Sequence, residues 1–374
     1  MAKKFDIKLF LSKNIVPVIF LVMTAIMMPF SGYSVSFMVQ EIVTRLSRDT
    51  FLVLALLIPL MAGMGINFGL GLGAMAAQIA LIFVTDWHTA GTAGILLAML
   101  ISTPISLLFG FFGGYLMNNA KGREMITSYV LGFFMIGAYQ VVVLFGMGKF
   151  IPINDTGILL SRGFGIRGTI ILDRIAGSFD TLFDKLFGLR IHIFDINIPL
   201  FTILVVALLC FVTWWFRRTK FGQEIRAVGQ DMSVSAASGI NVSKIRIISM
   251  LISTVLAGYG FIIFMQNVGV MPVYTGSANV ALYAAAALLV GGATASKAGL
   301  PRVIFGVALF HLLFFVTPMA ANRIFNQAAV AEYFRLFISF SVVALALIMN
   351  GWNAKKEKDQ ALFGHRKRTG DTAS

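Results

Sequence analysis

The chain has 374 residues, 58% of them hydrophobic and only 12% charged, with a mean hydropathy of +0.87. Soluble globular domains carry about 25% charged residues, so a soluble fold is excluded. The formal net charge of +14 invites nucleic acid as a partner, but the cations lie in short segments between apolar runs, which points to a membrane instead.

Those apolar runs recur along the whole chain, at 14–30, 51–66, 68–84, 93–117, 125–147, 197–216, 247–267, 279–295, 303–317 and 333–350. Most are long enough to cross a hydrocarbon core of about 30 Å. They predict an all-α polytopic membrane protein of about ten transmembrane helices, including broken or re-entrant ones. The membrane domain takes 1–350, and a basic, polar tail takes 351–374. With the N-terminus inside, the cytoplasmic segments hold 20 of the 30 Lys and Arg residues and the exterior segments 9. This asymmetry places both termini in the cytoplasm.

Lys3, Lys4, Lys8 and Lys13 ahead of Ile15–Phe30 imitate a secretory signal. The apolar stretch is long for one and no small-residue cleavage site follows, so an uncleaved first span is expected. Residues 31–50 alternate Phe37, Val39, Ile42, Val43 and Leu46 with Gln40, Glu41, Arg45 and Arg48, the pattern of a helix lying on the outer surface. Next, Gly65, Gly69 and Gly73 recur every four residues around Asn67. Close helix packing is one reading. A helix broken at membrane depth, with Asn67 lining a solute path, is the other.

Gln78, Tyr139 and Gln140 are uncharged polar groups inside apolar runs. Each needs a polar partner there, in the protein or in a cavity. The external insert 148–196 then places Leu172, Ile175, Phe179, Leu182, Phe183 and Leu186 on one helical stripe, with Asp173, Arg174, Asp180, Asp184 and Lys185 on other faces. A second surface helix is expected, serving as a platform for an external protein or as a lid. A cytoplasmic loop spans 217–246, and a second break runs from Gln266 and Asn267 through Pro272 to Asn279. Its amides suit a neutral polar solute or the capping of span ends. Asn67, Gln78, Tyr139, Gln140, Gln266 and Asn267 are therefore the expected polar lining of the path.

Catalysis is not encoded. His88, His192, His311 and His365 are scattered and Cys210 is the only cysteine, so no metal motif or disulfide is available. No phosphate-binding loop exists, since Gly148-Lys149 lacks the upstream Gly and the following hydroxyl residue. No catalytic residue, metal or cofactor is expected. Paired carboxylates within the spans are missing, which argues against a proton-driven pump.

The loop 217–246 carries a resemblance. Its residues Phe221-Gly222, Ile225, Ala227-Val228-Gly229, Ala236-Ala237 and Ser238-Gly239-Ile240 resemble the cytoplasmic coupling loop of bacterial ABC-importer permeases of the branched-chain amino acid/ribose type. Val290-Gly291-Gly292-Ala293 with Gly299 fits the family's small-residue pattern, and Gly65-Ile66-Asn67-Phe68 is similar to its Gly-Ile-Asp-Leu signature, with Asn67 where the family has Asp. The resemblance implies a permease in the bacterial inner membrane that moves a sugar, nucleoside or similar ring-bearing solute. It implies an ATP-binding cassette ATPase subunit, a second permease (the same or a homologous chain), an external solute-binding protein and membrane lipid as partners. ATPase coupling would fall to Phe221, Gly222, Arg226, Gly229, Ala236, Ala237, Ser238, Gly239 and Ile240. For Arg217, Arg218, Lys220, Lys244 and Arg246, orientation and contact with lipid headgroups suffice. A branched-chain amino acid permease and a stand-alone secondary transporter are the alternatives.

Overall fold

The structure is a computed structural model that describes residues 15–348, apart from Lys121, 188–191, 194–195, 198, 294–298, 328, 339, 342–343 and 346–347. The N-terminal lysines and the basic tail 351–374 lie outside the described residues. Twelve helices are assigned here: α1 Ile15–Ser31, α2 Val35–Met61, α3 Gly71–Asp86, α4 Gly91–Asn119, α5 Glu124–Val141, α6 Leu182–Phe187, α7 Leu200–Phe216, α8 Lys220–Gln230, α9 Met232–Ala237, α10 Val242–Val268, α11 Val280–Val290 and α12 Leu300–Phe325. The strands are short: β1 Thr169–Ile171, β2 His192–Ile193, β3 Ile196–Asn197 and β4 Val270–Pro272.

Among the described residues, Phe68–Asp86, α4, α5 with its extension to Gly146, α10 and α12 are long and apolar enough to cross a membrane. The pair α7 and α8 is bent by 74° and counts as a sixth only if taken as one span, and Val16–Ser31 and α11 are shorter apolar helices. The chain is a multi-pass, all-α membrane protein. Its outward faces carry the apolar side chains that lipid requires: Leu100 on α4 is 70% exposed and Phe211 on α7 is 60% exposed.

The protein divides into two compact units, 33–311 and the pair of segments 1–32 with 312–374. In the larger unit α10 is central. It runs antiparallel to α2 and α4, since Ser253 Oγ donates to the Ala55 carbonyl at 2.8 Å and Thr103 Oγ1 meets Tyr259 Oη at 2.7 Å. Backbones approach closely where side chains vanish. A Cβ on Gly73 of α3 would sit 2.2 Å from the Thr254 carbonyl oxygen of α10, and one on Gly291 would sit 2.0 Å from the Arg302 carbonyl oxygen of α12. In the smaller unit, α1 accompanies a helical stretch at 329–338, and the Arg335 guanidinium lies 5.0 Å from the Phe314 ring centre.

Two expectations need correction. The surface helix expected at 31–50 is instead the N-terminal half of one continuous helix, α2. Ser34 caps it by accepting from the Phe37 N–H, and no glycine or proline interrupts it before Pro59. Its 27 residues measure about 40 Å, and everything from Phe51 to Met61 is buried. The helix expected along Leu172–Leu186 forms only at α6. The preceding backbone bonds elsewhere: the Leu172 N–H donates to the Gly269 carbonyl and the Gly177 N–H to the Gln266 carbonyl, both at 2.8 Å. Leu172, Ile175 and Phe179 are buried on turns, while Leu186 is exposed.

Candidate substrate path and coupling surface

The first break lies between α2 and α3. Gly63 and Gly65 adopt φ of +72° and +69°, a region that side chains disfavour. Asn67 then starts a short 3-10 turn, its Oδ1 accepting from the Gly69 N–H at 2.8 Å. Its Nδ2 lies 3.0 Å from Met250 Sδ, and Ser128 of α5 accepts from the Phe68 N–H at 3.1 Å. Asn67 is fully buried, with its side chain spent on holding the break.

The second break follows α10, which ends at Gly269 with φ +76°. There β4 pairs antiparallel with β1, Ile170 opposite Met271. Beyond Pro272 the chain runs through turns, the Pro272 carbonyl accepting from the Gly276 N–H at 2.9 Å, and three polar side chains bond the carbonyls of 272–274. Gln78 Nε2 donates to the Pro272 and Val273 carbonyls at 3.0 and 3.1 Å. The Tyr139 hydroxyl donates to the Val273 carbonyl at 3.0 Å, and Gln140 Nε2 to the Tyr274 carbonyl at 3.0 Å. From the insert, the Gly168 carbonyl accepts from the Val273 N–H at 2.9 Å and the Ile166 carbonyl from the Tyr274 hydroxyl at 2.6 Å. Half of the expected lining thus converges on three consecutive peptide groups, from α3 and α5. Gln78 Oε1 is buried with no hydrogen bond among the described residues.

Gln266 and Asn267 do different work. Asn267 Nδ2 donates to Asp180 Oδ2 at 2.9 Å, while its Oδ1 accepts from Arg48 Nη1 at 2.8 Å. Gln266 Nε2 donates to Asp180 Oδ1 at 3.3 Å, and Thr202 Oγ1 donates to the same oxygen at 2.5 Å. The two amides therefore tie the insert, α7 and α2 to the end of α10. Sequence reasoning missed Asp180 and Arg48, which read as solvent-facing members of amphipathic stripes. None of the six lines a cavity of about 270 Å³ at the C-terminal end of α3, where Thr85, His88, Asp155 and Arg167 meet.

The loop between α7 and α10 folds into two helices. Thr219 caps α8, accepting from the Gly222 N–H at 3.3 Å. Ile225 and Val228 are buried beneath α8, and the Phe221 ring centre lies 5.9 Å from that of Phe216. Gly222 and Gly229 are contact points: a Cβ would fall 2.1 Å from the Phe216 carbonyl oxygen or 2.0 Å from that of Met61. Asp231 caps α9 by accepting from the N–H groups of Ser233 and Val234 at 2.8 and 3.0 Å and from the Ser233 hydroxyl at 2.8 Å. These bonds, the Val234 N–H foremost, hold its carboxyl below the ordinary carboxylate value. Ala236, Ala237, Ser238, Gly239 and Arg226 are exposed, and Ile240 is half-buried. The expected coupling residues therefore split into a packed set and an outward-facing set.

Arg246 is not at the headgroups. It is fully buried and its Nη2 donates to Glu124 Oε1 at 2.5 Å. On the far side, His311 Nδ1 lies 3.3 Å from Asp49 Oδ2, also buried.

A family model described as the branched-chain amino acid transport system permease component matches residues 38–347. The chain belongs to that family. Similar to this permease is the autoinducer 2 import system permease protein of Photorhabdus laumondii, 24% identical over 285 residues, or 76% of this chain and 73% of that protein. The xylose transport system permease protein of Haemophilus influenzae is 28% identical over 157 residues, 42% of this chain and 40% of that protein. The autoinducer 2 import system permease protein of Klebsiella pneumoniae is 34% identical over 89 residues, 24% of this chain and 26% of that protein. No solved structure matches the chain. Membership makes the permease a transport subunit rather than an enzyme, and implies an ATPase and a solute-binding protein as partners.

Proposed function

We propose that the permease imports a small neutral polar solute of sugar type, received from an external binding protein and driven by a separate ATPase. The observation that carries this reading is the clamp on Pro272–Tyr274, built only from amide, phenol and peptide groups. Neutral donors and acceptors match hydroxyls, whereas a zwitterionic amino acid asks for charged partners. The unbonded Gln78 Oε1 supplies an acceptor for a solute hydroxyl, since a buried acceptor left unmade costs about 1–3 kcal/mol. Relatives named for autoinducer 2 and xylose support the same class. In this reading 272–276 is a re-entrant gate beside the path, and Gln78, Tyr139 and Gln140 hold it. Asn67, Gln266 and Asn267 brace the path from the two helix breaks without lining it.

The exposed surface Ala236–Gly239 docks on the ATPase, because small side chains let a partner approach closely. Both termini face the cytoplasm, from the distribution of Lys and Arg. A second permease, the same or a homologous chain, completes the membrane pathway, and lipid covers the apolar outer faces. The family's description names branched-chain amino acids, an alternative solute that the relatives named for autoinducer 2 and xylose do not favour. Uptake of labelled xylose by cells expressing the complete importer, competed by ribose, a nucleoside or leucine, separates the two. Competition by the sugars or nucleoside and none by leucine supports the proposal; uptake of labelled leucine alone contradicts it.

A further inference from the structure

Arg246 is the fifth residue of α10, near the positive end of the helix dipole and a poor place for a cation. Three other helices compensate. Nη2 donates to Glu124 Oε1 at 2.5 Å and lies 3.4 Å from the Met117 carbonyl, while Nη1 lies 3.6 Å from Met232 Sδ. Glu124 opens α5, where the dipole favours a carboxylate, and the Met117 carbonyl belongs to the last turn of α4, where it favours a cation. Met232 opens α9, the exposed docking helix. One guanidinium thus joins α9, α10, α4 and α5.

The pair is a poor choice for stability alone. Arg246 Nε is buried with no hydrogen bond among the described residues, and apolar side chains of similar volume often replace a buried ion pair at no loss. Its placement says more. From Glu124 to Tyr139, α5 is a continuous helix of about 22 Å, and its far end holds the Val273 and Tyr274 carbonyls through Tyr139 and Gln140. A helix transmits displacement along its axis with little loss, so a shift at Glu124 moves both clamp side chains. We propose that the Arg246–Glu124 pair is the joint through which movement of α9 passes along α5 to the clamp on 273–274. Both are positioning residues. The inference rests on the importer reading given above.

The test uses the complete importer in proteoliposomes with its ATPase and binding protein. The permease carries Cys210→Ser and Ser277→Cys, because Ser277 beside the clamp is 2% exposed. In this parent, ATP with magnesium speeds labelling by N-ethylmaleimide about tenfold, as a state populated at up to about 10% becomes dominant. Adding Glu124→Leu with Arg246→Met leaves ATP hydrolysis within about twofold and abolishes the effect of ATP on labelling, since the pair is absent but no charge is stranded. ATP-dependent labelling equal to the parent's overturns the joint. Should that double variant assemble poorly, Arg246→Lys is read by the same two outcomes, because lysine keeps the charge and loses the forked contact. A parent that hydrolyses no ATP overturns the importer reading itself, and the joint with it.

Discussion

Tyr139 sits 5% exposed with its hydroxyl 3.0 Å from the Val273 carbonyl. Tyr139→Phe removes one hydrogen bond while keeping the ring, a loss of about 1 kcal/mol that corresponds to about a fivefold change in an equilibrium. The expected result is an unchanged amount of permease in the membrane and a severalfold change in uptake rate. Gly229 behaves oppositely. A Cβ there meets the Met61 carbonyl oxygen at 2.0 Å, so Gly229→Ala overpacks α8 against α2 at a cost of about 1–3 kcal/mol. Thermal unfolding in detergent should shift down with this variant. Asp231 separates shape from charge. Its folded value lies below the ordinary carboxylate value of about 3.9, so the cap is full above that and is lost only as pH falls through the lowered value. Asp231→Asn should retain stimulation of the ATPase at neutral pH, because Asn caps about as well, while Asp231→Ala should reduce it.

At the scale of elements, orientation is the first thing to measure. Asp173 in the insert and Ser238 after α9 are both exposed. In a Cys210→Ser background, Asp173→Cys should react with an impermeant maleimide added to intact cells and Ser238→Cys should not; the reverse would invert the topology. Sequence read the apolar helices and the two breaks well, because apolar length and the clustering of Gly, Asn and Pro are local signals. Among the described residues, however, only five helices, or six with the bent pair as one span, meet the length and apolarity that about ten expected spans would need. It misread 31–50, since an amphipathic stripe looks alike whether it lies on a membrane or on protein, and here Arg48 and Asp49 turn to partners on α10 and α12. It misread Leu172–Leu186 because long-range bonds to Gln266 and Gly269 outcompeted the local helix. Of the site, the residue types were legible and their partners were not. Gln78, Tyr139 and Gln140 are 61 or more positions apart from one another or adjacent, and their shared target at 272–274 is a property of the fold.

Across the whole molecule, the proposed docking surface on α9 is coupled to the clamped segment 272–276 through the membrane domain. Gly239 has φ +83° and open space around it, at the edge of the proposed docking surface. Any side chain at that φ is strained by about 1–2 kcal/mol, so Gly239→Trp is compared with Gly239→Ala: both should lower stability alike, and only the Trp variant should abolish stimulation of ATP hydrolysis. The most direct measurement is solute uptake into proteoliposomes holding the permease with or without its ATPase, using labelled xylose loaded on the binding protein. Uptake is expected only when ATPase and ATP are both present. Uptake by the permease alone, driven by an ion gradient, would contradict the proposed function.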